Sequence, residues 1–367
     1  MGLRRPVDSC RFSKTTEASA ITAFKFSGVD SFEVKHCIFK DFPVCDAMDY
    51  NVCHNGIITD NRFENCLTGG HIKGGASNIT TERNLFINSS QASWVAFEIG
   101  GDTGAQFYCP EDKFEVKNIK FYSNIIIGGY RGLALSSAVD CKVINNTFYN
   151  CGQATMRFLT TSSLFPTLSG NRIENNIFAF GTSEYMNGGT QPAGAASFSN
   201  NIYYSISKPT FNGPYWDTPD LDAIKDRNPI NFGSNTIMFM DGVNGDFHLA
   251  AGSPAIGAGA NETEPATDFY GNPFKMNGRS IGAIEVKSST GVSERDELNI
   301  NYSIYPNPAK EYIELSSSKY VGLIAVYSPL GIKVLDAESN AKIDIHNLPA
   351  GIYFLKIGDD FYRFVKL

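Results

Sequence analysis

The residues best suited to chemistry lie in the first half of the chain, on short segments with the pattern of exposed strands. Lys73 stands in the run Gly70-His-Ile-Lys-Gly, where a lysine between glycines is accessible and can exchange a proton. His71 is two residues earlier and therefore shares its face of a strand. Tyr108 and Tyr130 carry rings that can stack on sugar rings, although aromatic residues at loop bases more often pack against their own protein. We assign His71, Tyr108 and Tyr130 to substrate binding.

Stacking the strands by their inward apolar residues predicts one outward row, comprising Lys73, Glu98, Ala134 and Arg157. Adjacent coils are ~4.8 Å apart, so Lys73 and Glu98 would be neighbours, and Arg157 would lie roughly 14 Å from Lys73. The loop 100–115 begins where the Glu98 strand ends, and a long loop beside a flat sheet is where a binding cleft is expected. The alternative is an ordinary surface ion pair between Lys73 and Glu98, worth ~0–1 kcal/mol.

These strands belong to a repeat that organises the centre of the chain. An apolar strand, an asparagine and an aromatic or aliphatic residue recur every 22–24 residues, with longer steps of 30 and 40, at Asn61, Asn84, Asn124, Asn146 and Asn176. An earlier copy has Cys37 in place of asparagine. The runs are too short for paired helices, so three strands and three turns per coil are predicted. We predict an all-β fold, a right-handed parallel β-helix (solenoid) that resembles the asparagine-ladder proteins of the pectate-lyase-like group. In that turn asparagine would tolerate left-handed backbone angles, and its amide would bond the next coil.

The repeat and the composition divide the chain into four regions. They are 1–182, parallel β-helix coils; 183–286, irregular last coils and a C-terminal cap; 287–300, a polar linker; and 301–367, a small β-sandwich. Residues 246–286 are similar to the segment that closes many bacterial surface β-helices, which implies a structural cap. The chain starts inside a coil, so we expect earlier coils and a signal peptide to be missing from this sequence.

The last region carries the most specific phrases of the sequence. Tyr305-Pro-Asn-Pro-Ala309 and Leu348-Pro-Ala-Gly-Ile-Tyr-Phe-Leu-Lys-Ile357, with a short basic and apolar C-terminus, resemble the type A sorting domain of the type IX secretion system of Bacteroidetes. The resemblance implies handling by the type IX secretion machinery, removal of the tail, and an extracellular or outer-membrane surface location. An ordinary immunoglobulin-like module would explain the strands but not these phrases.

A second resemblance concerns the segment from His71 to Phe86, which is similar to the catalytic-lysine coil of chondroitinase-B-like and alginate lyases. It implies roles for five residues: Lys73 as catalytic base, Arg131 or Arg157 as the assisting group, and Glu98 with Asp102 as ligands of a calcium ion at the substrate carboxylate. The paired glutamates and the Arg-His-Gly phrase of that family are absent here.

Composition excludes several classes of partner. The formal net charge of −7 argues against binding to a nucleic-acid backbone. No run reaches the ~20 apolar residues that a transmembrane helix needs. The eight cysteines include no CxxC pair, which favours free, buried thiols over a disulfide framework. We expect a monomer.

Three functions remain open. The leading one is a secreted or cell-surface polysaccharide-active protein, in the form of a calcium-assisted uronate lyase that works by β-elimination. The alternative is a non-catalytic adhesin or glycan-binding solenoid that uses the same face, and the third is a purely structural surface protein. A two-carboxylate hydrolase is less favoured, because Glu98 is the one acid in the predicted outward row.

Overall fold

The computed structural model consists almost entirely of short β-strands. It describes residues 5–13, 22–88, 95–108, 113–188, 194–217, 226, 229–286, 304–315, 324–328, 333–337, 342–357 and 360–367. These ranges contain two short 3₁₀ helices, Ala105–Phe107 and Gly242–Asn244, and no α-helix. No helix within them has the length and apolarity needed to cross a membrane. The chain divides into two compact units, residues 1–238 with 249–286 and residues 239–248 with 287–367.

The strands are numbered in chain order. The first twelve are β1 (Arg5–Asp8), β2 (Arg11–Ser13), β3 (Phe24–Ser27), β4 (Phe32–Lys35), β5 (Ile38–Asp46), β6 (Met48–Asn51), β7 (Ile57–Thr59), β8 (Arg62–Lys73), β9 (Ala76–Ser77), β10 (Thr80–Glu82), β11 (Leu85–Asn88) and β12 (Val95–Gly100). The next fifteen are β13 (Val116–Lys117), β14 (Lys120–Tyr122), β15 (Ile125–Gly128), β16 (Arg131–Ser136), β17 (Ala138–Val139), β18 (Lys142–Ile144), β19 (Thr147–Tyr149), β20 (Ala154–Leu159), β21 (Asn171–Glu174), β22 (Ile177–Phe180), β23 (Tyr185–Met186), β24 (Ala196–Ser199), β25 (Ile202–Ser205), β26 (Tyr215–Trp216) and β27 (Ile230–Phe232). The remaining strands are β28 (Phe239–Asp241), β29 (Asp246–Leu249), β30 (Ile304–Tyr305), β31 (Tyr312–Leu315), β32 (Ile324–Tyr327), β33 (Lys333–Ala337), β34 (Lys342–Asp344), β35 (Gly351–Ile357) and β36 (Asp360–Lys366).

In the first unit the strands stack as a parallel solenoid. One sheet takes one strand from each coil in the order β1-β4-β7-β10-β14-β18-β21-β24, which gives about eight coils. A second sheet takes the strands that follow the turn of each coil. Its strand β8 has 12 residues and pairs twice, with β5 and β11 through its first half and with β6 and β12 through its second half. We call the ladder β3-β6-β8-β12-β16-β20 the front ladder. The predicted parallel β-helix is confirmed.

The core is a column of stacked aromatic rings. The rings of Phe39, Phe63 and Phe86 lie 5.0 and 4.7 Å apart and are tilted by only 7°. This spacing is that of the strands themselves, because equivalent residues of successive coils sit directly above one another. All three rings are fully buried. Each contributes about 2–3 kcal/mol by leaving water.

A ladder of buried side-chain amides runs beside the aromatic column. In six successive pairs, the backbone N–H of one ladder residue donates to the side-chain oxygen of the next at 2.8–3.0 Å. The ladder consists of Cys37, Asn61, Asn84, Asn124, Asn146, Asn176 and Asn201. The predicted hydrogen bond between each asparagine amide and the neighbouring coil is therefore present. Asn201 carries the repeat one coil beyond the predicted limit of 182.

The left-handed backbone position of this turn belongs to a different residue from the one expected. The residue before each ladder asparagine has a positive φ, as at Asp60 (59°), Arg83 (52°) and Ser123 (52°). The ladder asparagines themselves are absent from the left-handed region. The reason is geometric, because the preceding residue reverses the chain and thereby turns the asparagine side chain into the coil. The prediction that the repeated asparagine adopts left-handed angles was wrong.

Residues 259–285 form a strap along the side of the solenoid. The outer side chains Leu85, Ile125 and Ile177 point away from the aromatic column, yet they are buried. Gly282 fits against Ile177 with φ +97°, where a Cβ would lie 2.6 Å from the Ile177 side chain. The apolar outer surface of this sheet is therefore covered by the strap.

Polar contacts fix the strap to several coils in turn. Glu264 accepts from Lys120 (2.5 Å), Lys142 (3.1 Å) and the hydroxyl of Tyr122 (3.1 Å). Farther along, Arg172 donates to Glu262 at 2.9 Å. These contacts of the strap run lengthwise across neighbouring coils, because the apolar surface that it covers lies on the side. The cap within 183–286 stays a prediction.

In the second unit, the described residues from 304 onward form two small antiparallel sheets. Their orders are β30-β31-β34 and β33-β32-β35-β36. Ile313 and Ile343 of the first sheet and Val326, Leu355 and Phe364 of the second belong to one buried cluster, so the sheets form a sandwich. The predicted linker, 287–300, lies outside the described residues.

The cysteines of the described part of the chain are thiols, not disulfides, as the sequence predicts. Seven of the eight cysteines fall in that part, and six of these seven are buried. Burial raises the pKa of Cys66 to about 12, so this thiol stays protonated and unreactive. Cys109 lies outside the described residues.

We predict that Asn146→Ala lowers the free energy of unfolding by about 3 kcal/mol, because it leaves the buried N–H of Asn124 and the carbonyl of Phe121 without their partner. Urea unfolding followed by circular dichroism measures the change. Asn261→Ala, which removes an exposed amide, is the matched control and should stay within about 0.5 kcal/mol of the wild type. Equal effects of the two substitutions would contradict a structural role for the ladder.

We predict that Glu264→Gln removes part of the acid sensitivity of the first unit. Lysine and tyrosine hydrogen bonds outweigh burial and lower the pKa of Glu264 to about 2 from 4.5. Its stabilisation is therefore present above pH 4.5 and is lost as the pH falls from 4.5 towards 2. Because the side chain is 40% exposed, we expect only about 1 kcal/mol. The urea unfolding midpoints of wild type and variant should differ at neutral pH and converge at acidic pH. The same difference between the two midpoints at both pH values would contradict the assignment.

Candidate functional site

One outward row of polar side chains runs along the front ladder. Register pairs align Lys25 with Asp49, Asp49 with His71, His71 with Glu98, and Glu98 with Ala134. The row continues through Arg157 to Asn187. We call the residues Lys25, Asp49, His71, Glu98, Ala134, Arg157 and Asn187 the front row. Residues that are distant in sequence thereby come to lie one coil apart.

The predicted pairing of Lys73 with Glu98 was wrong by two residues. Glu98 pairs with His71, and Lys73 pairs with Asn51 on the other side. The ring of Phe97 occupies the inward space left by Gly70, where a Cβ would lie 2.4 Å from that ring. Phe97 therefore pairs with Gly70, and not with Ile72, the apolar residue with which we aligned it.

His71 lies at the centre of the acidic part of the row. Its Nε2 is 2.7 Å from the carbonyl oxygen of Gly100, which requires a proton on Nε2. In the neutral ring Nδ1 is then an acceptor, and the Nζ of Lys73 is 3.4 Å away. The carboxylates of Asp46 and Glu98 each approach the ring to 3.9 Å. His71 is only 15% exposed, so these groups fix its orientation.

Lys73 contacts a carboxylate that the sequence did not single out. Its Nζ lies 3.5 Å from Asp49 Oδ1, while Lys25 holds the other oxygen of Asp49 at 2.9 Å. The Lys73 side chain is 24% exposed and remains accessible from the front. The predicted base is therefore part of a Lys–Asp–His group.

The two arginines lie on the next coils along the row. Burial first, and then the charge of Arg157, lower the pKa of Arg131. Glu98 and the neighbouring tyrosines oppose this shift. Arg131 also donates to Gln153 at 2.6 Å and stacks 4.7 Å over the ring of Tyr130. The structure thus brings Glu98, Arg131, Arg157 and Tyr130 together.

The loop after β12 is anchored by a fully buried carboxylate. Glu115 accepts from the backbone N–H of Gly74 (3.1 Å), from the hydroxyl of Thr103 (2.6 Å) and from the hydroxyl of Tyr108. Burial and this bond raise the pKa of Tyr108. The Tyr108 ring packs edge-on against Phe165 at 5.1 Å. Tyr108 is therefore engaged in holding two loops together.

The two predicted calcium ligands have separate partners. Asp102 accepts from the backbone N–H (2.8 Å) and the hydroxyl (2.9 Å) of Ser163, which lower its pKa. Glu98 lies beside His71. Within the described ranges no cluster of three or more His, Cys, Asp or Glu side chains is arranged to hold a metal ion. The calcium site stays a prediction.

Sequence reasoning missed Asp49, Glu115 and Asn187. Asp49 lies between Met48 and Tyr50, both fully buried, and this alternation was a usable signal for an outward residue. Glu115 and Asn187 gave no such signal, because their roles depend on loops and on coils outside the regular repeat.

Comparison with known proteins identifies the tail alone. Residues 303–366 match the family model of the secretion system C-terminal sorting domain, Por_Secre_tail. The match indicates export through the type IX secretion system, and hence an extracellular or surface location. No curated protein gives a significant match to the chain.

We predict that Glu115→Ala loosens the loop and lowers the free energy of unfolding by about 2–3 kcal/mol, because Gly74 N–H and two hydroxyls lose their acceptor. Limited proteolysis read by mass spectrometry should show faster cleavage within 101–108. Glu33→Ala, which removes a carboxylate of strand β4 that is 22% exposed, is the control. Unchanged cleavage in the Glu115 variant would show that the loop is held by other contacts.

Proposed function

We propose that this exported solenoid binds an acidic polysaccharide along the front row and cleaves it by β-elimination. The observation that carries the proposal is that Arg131 and Arg157 lie on the adjacent strands β16 and β20, close enough for the charge of Arg157 to lower the pKa of Arg131. Two like charges close together are unfavourable, and Glu98 is one carboxylate beside two guanidinium groups, so a further anion would stabilise the pair. A uronate carboxylate supplies such an anion, and guanidinium groups bind carboxylates in a two-pronged geometry.

Arg157 supports an external anionic ligand in a second way. Within the described residues no hydrogen bond or ion pair of its side chain occurs, although Arg62, Arg83 and Arg172 all pair with carboxylates. A half-buried arginine facing another arginine is therefore available to a ligand. The same argument does not favour a neutral glycan.

The second part of the proposed chemistry concerns the proton. In β-elimination from a uronate, a base removes the C5 proton, the C4–C5 double bond forms, and the bond from C4 to the glycosidic oxygen breaks. The leaving oxygen takes up a proton, from the protonated base or from water, and a cation stabilises the carboxylate during the step. The strands of Lys73 and Arg131 are two coils, ~10 Å, apart. Lysine and arginine side chains are long enough to meet at one sugar residue in that interval. Lys73 would act as the base, with Asp49 and His71 orienting it, and Arg131 and Arg157 would hold the carboxylate.

The proposal also includes the remaining expectations of the sequence analysis. These are a pectate-lyase-like identity, calcium at Glu98 and Asp102, contacts of the sugar with His71, Tyr108 and Tyr130, a monomeric state and an origin in Bacteroidetes. If calcium binds, it would add positive charge at the carboxylate. No step above depends on it.

A non-catalytic glycan-binding protein or adhesin is the second candidate. The observation that favours it is the contact of Lys73 with Asp49, because an ammonium held by a carboxylate is less available as a base. Binding without turnover would use the same arginines.

We predict that the full chain releases unsaturated products from uronic-acid polysaccharides, read as rising ultraviolet absorbance with and without calcium. Lys73→Ala should lower kcat/KM by about 10²-fold or more, the range of a general base. Arg157→Ala should raise KM about tenfold, because it removes a carboxylate contact. Arg11→Ala, at an exposed position of strand β2, is the matched control and should leave both constants unchanged.

The outcomes separate the candidates. Product formation that is lost in Lys73→Ala supports the lyase. Saturable binding of the polysaccharide without product, weakened by Arg157→Ala alone, supports the binding protein. Neither product nor binding across the panel, from protein that circular dichroism shows to be folded, would overturn both.

A further inference from the structure

The front row does not end at the arginines but leads to a stacked pair of tyrosines. Strand β23 pairs in parallel with β26, so Tyr185 lies directly beside Tyr215. Their rings are 5.8 Å apart and inclined by 19°. Tyr215 is 66% exposed, which makes its outer ring face one of the most accessible aromatic surfaces of the solenoid.

The backbone that carries this pair is rigidly held from the inside. Met186 is fully buried in the core, and Trp216 packs edge-on against Phe198 at 5.3 Å. Strand alternation then requires Tyr185 and Tyr215 to face outward on the side of the front row. An exposed ring on such a fixed support loses little conformational freedom on binding.

Hydrogen-bonding groups border the rings on the same face. Asp217 accepts from the hydroxyl of Tyr185, from the side-chain amide of Asn187 (3.0 Å) and from the backbone N–H of Gly188 (2.8 Å). Asn187 also donates to the Tyr185 hydroxyl at 2.8 Å. A flat apolar ring beside amide and carboxylate groups matches a pyranose, which has an apolar C–H face and polar hydroxyl edges.

This end of the face is continuous with the arginines. Asn187 forms a parallel bridge with Arg157, and Tyr185 lies two residues before Asn187 on the same face of the strand. Two coils, ~10 Å, separate the strand of Arg157 from that of Tyr215. A glycan chain bound at the arginines and extended along the solenoid axis would therefore reach Tyr215 with a sugar residue that takes no part in the reaction.

We propose that Tyr215, supported by Tyr185, is a distal sugar-stacking subsite that binds one pyranose of the same polysaccharide. The subsite rests on the proposed function for its substrate class. It implies that long oligosaccharides bind more tightly than short ones, and that the extra affinity comes from Tyr215.

The test measures affinity by isothermal titration calorimetry of the full chain with uronic-acid oligomers of increasing length, and with neutral β-linked glucan oligomers. Tyr215→Ala should lose roughly three- to tenfold in affinity for the long uronic-acid oligomers and nothing for the shortest ones that bind. Tyr215→Phe keeps the ring and should bind like the wild type. Arg157→Ala should weaken uronic-acid oligomers of every length.

Each outcome decides the proposal. Equal affinity of Tyr215→Ala and wild type for long oligomers would overturn the subsite while leaving the arginine site intact. If only the neutral series binds, and this binding depends on the Tyr215 ring, the result would support the subsite and contradict an acidic polysaccharide as the ligand. Absence of binding to both series, from folded protein, would overturn the subsite together with the proposed function. Tyr305→Ala, at an exposed tyrosine of the C-terminal unit, controls for loss of an exposed ring.

Discussion

The solenoid depends on one interaction repeated from coil to coil, the buried amide of the ladder asparagines. Each amide accepts the N–H of the previous coil and donates to a carbonyl that a tight turn would otherwise leave without a partner, as Asn146 does for Asn124 and Phe121. A buried backbone group without a partner costs about 1–3 kcal/mol, so the ladder allows sharp corners without that loss. The aromatic rings stack because these corners keep successive coils in register.

The same register assembles the candidate site. His71 and Glu98 are far apart along the chain, but pairing of β8 with β12 makes them neighbours. Since each coil contributes one or two outward positions, the site is spread over several coils and forms an elongated surface. Such a surface suits an extended chain ligand better than a compact one.

The front row divides into two electrostatic regions. Around His71 and Lys73 the partners are the carboxylates Asp49 and Glu98, and charges are largely compensated. After burial, the largest influence on the pKa of Arg131 is the charge of another cation, Arg157. The region where the two arginines meet is where an anionic ligand would gain most. The tail match indicates export through the type IX secretion system, and hence an extracellular or surface location for this face.

The sequence by itself determined the solenoid fold, its buried core and the route of export. The recurrence of asparagine and aromatic residues predicted the parallel β-helix, and the Tyr305 phrase predicted the sorting domain, because both are local patterns. The pairing of Glu98 was a different matter. Alternation in a strand has a period of two, so it fixes which side chains face outward but leaves the register free to slip by two residues. The tertiary structure decided that slip through the fit of Phe97 against Gly70, and the resulting shift put His71, not Lys73, beside Glu98.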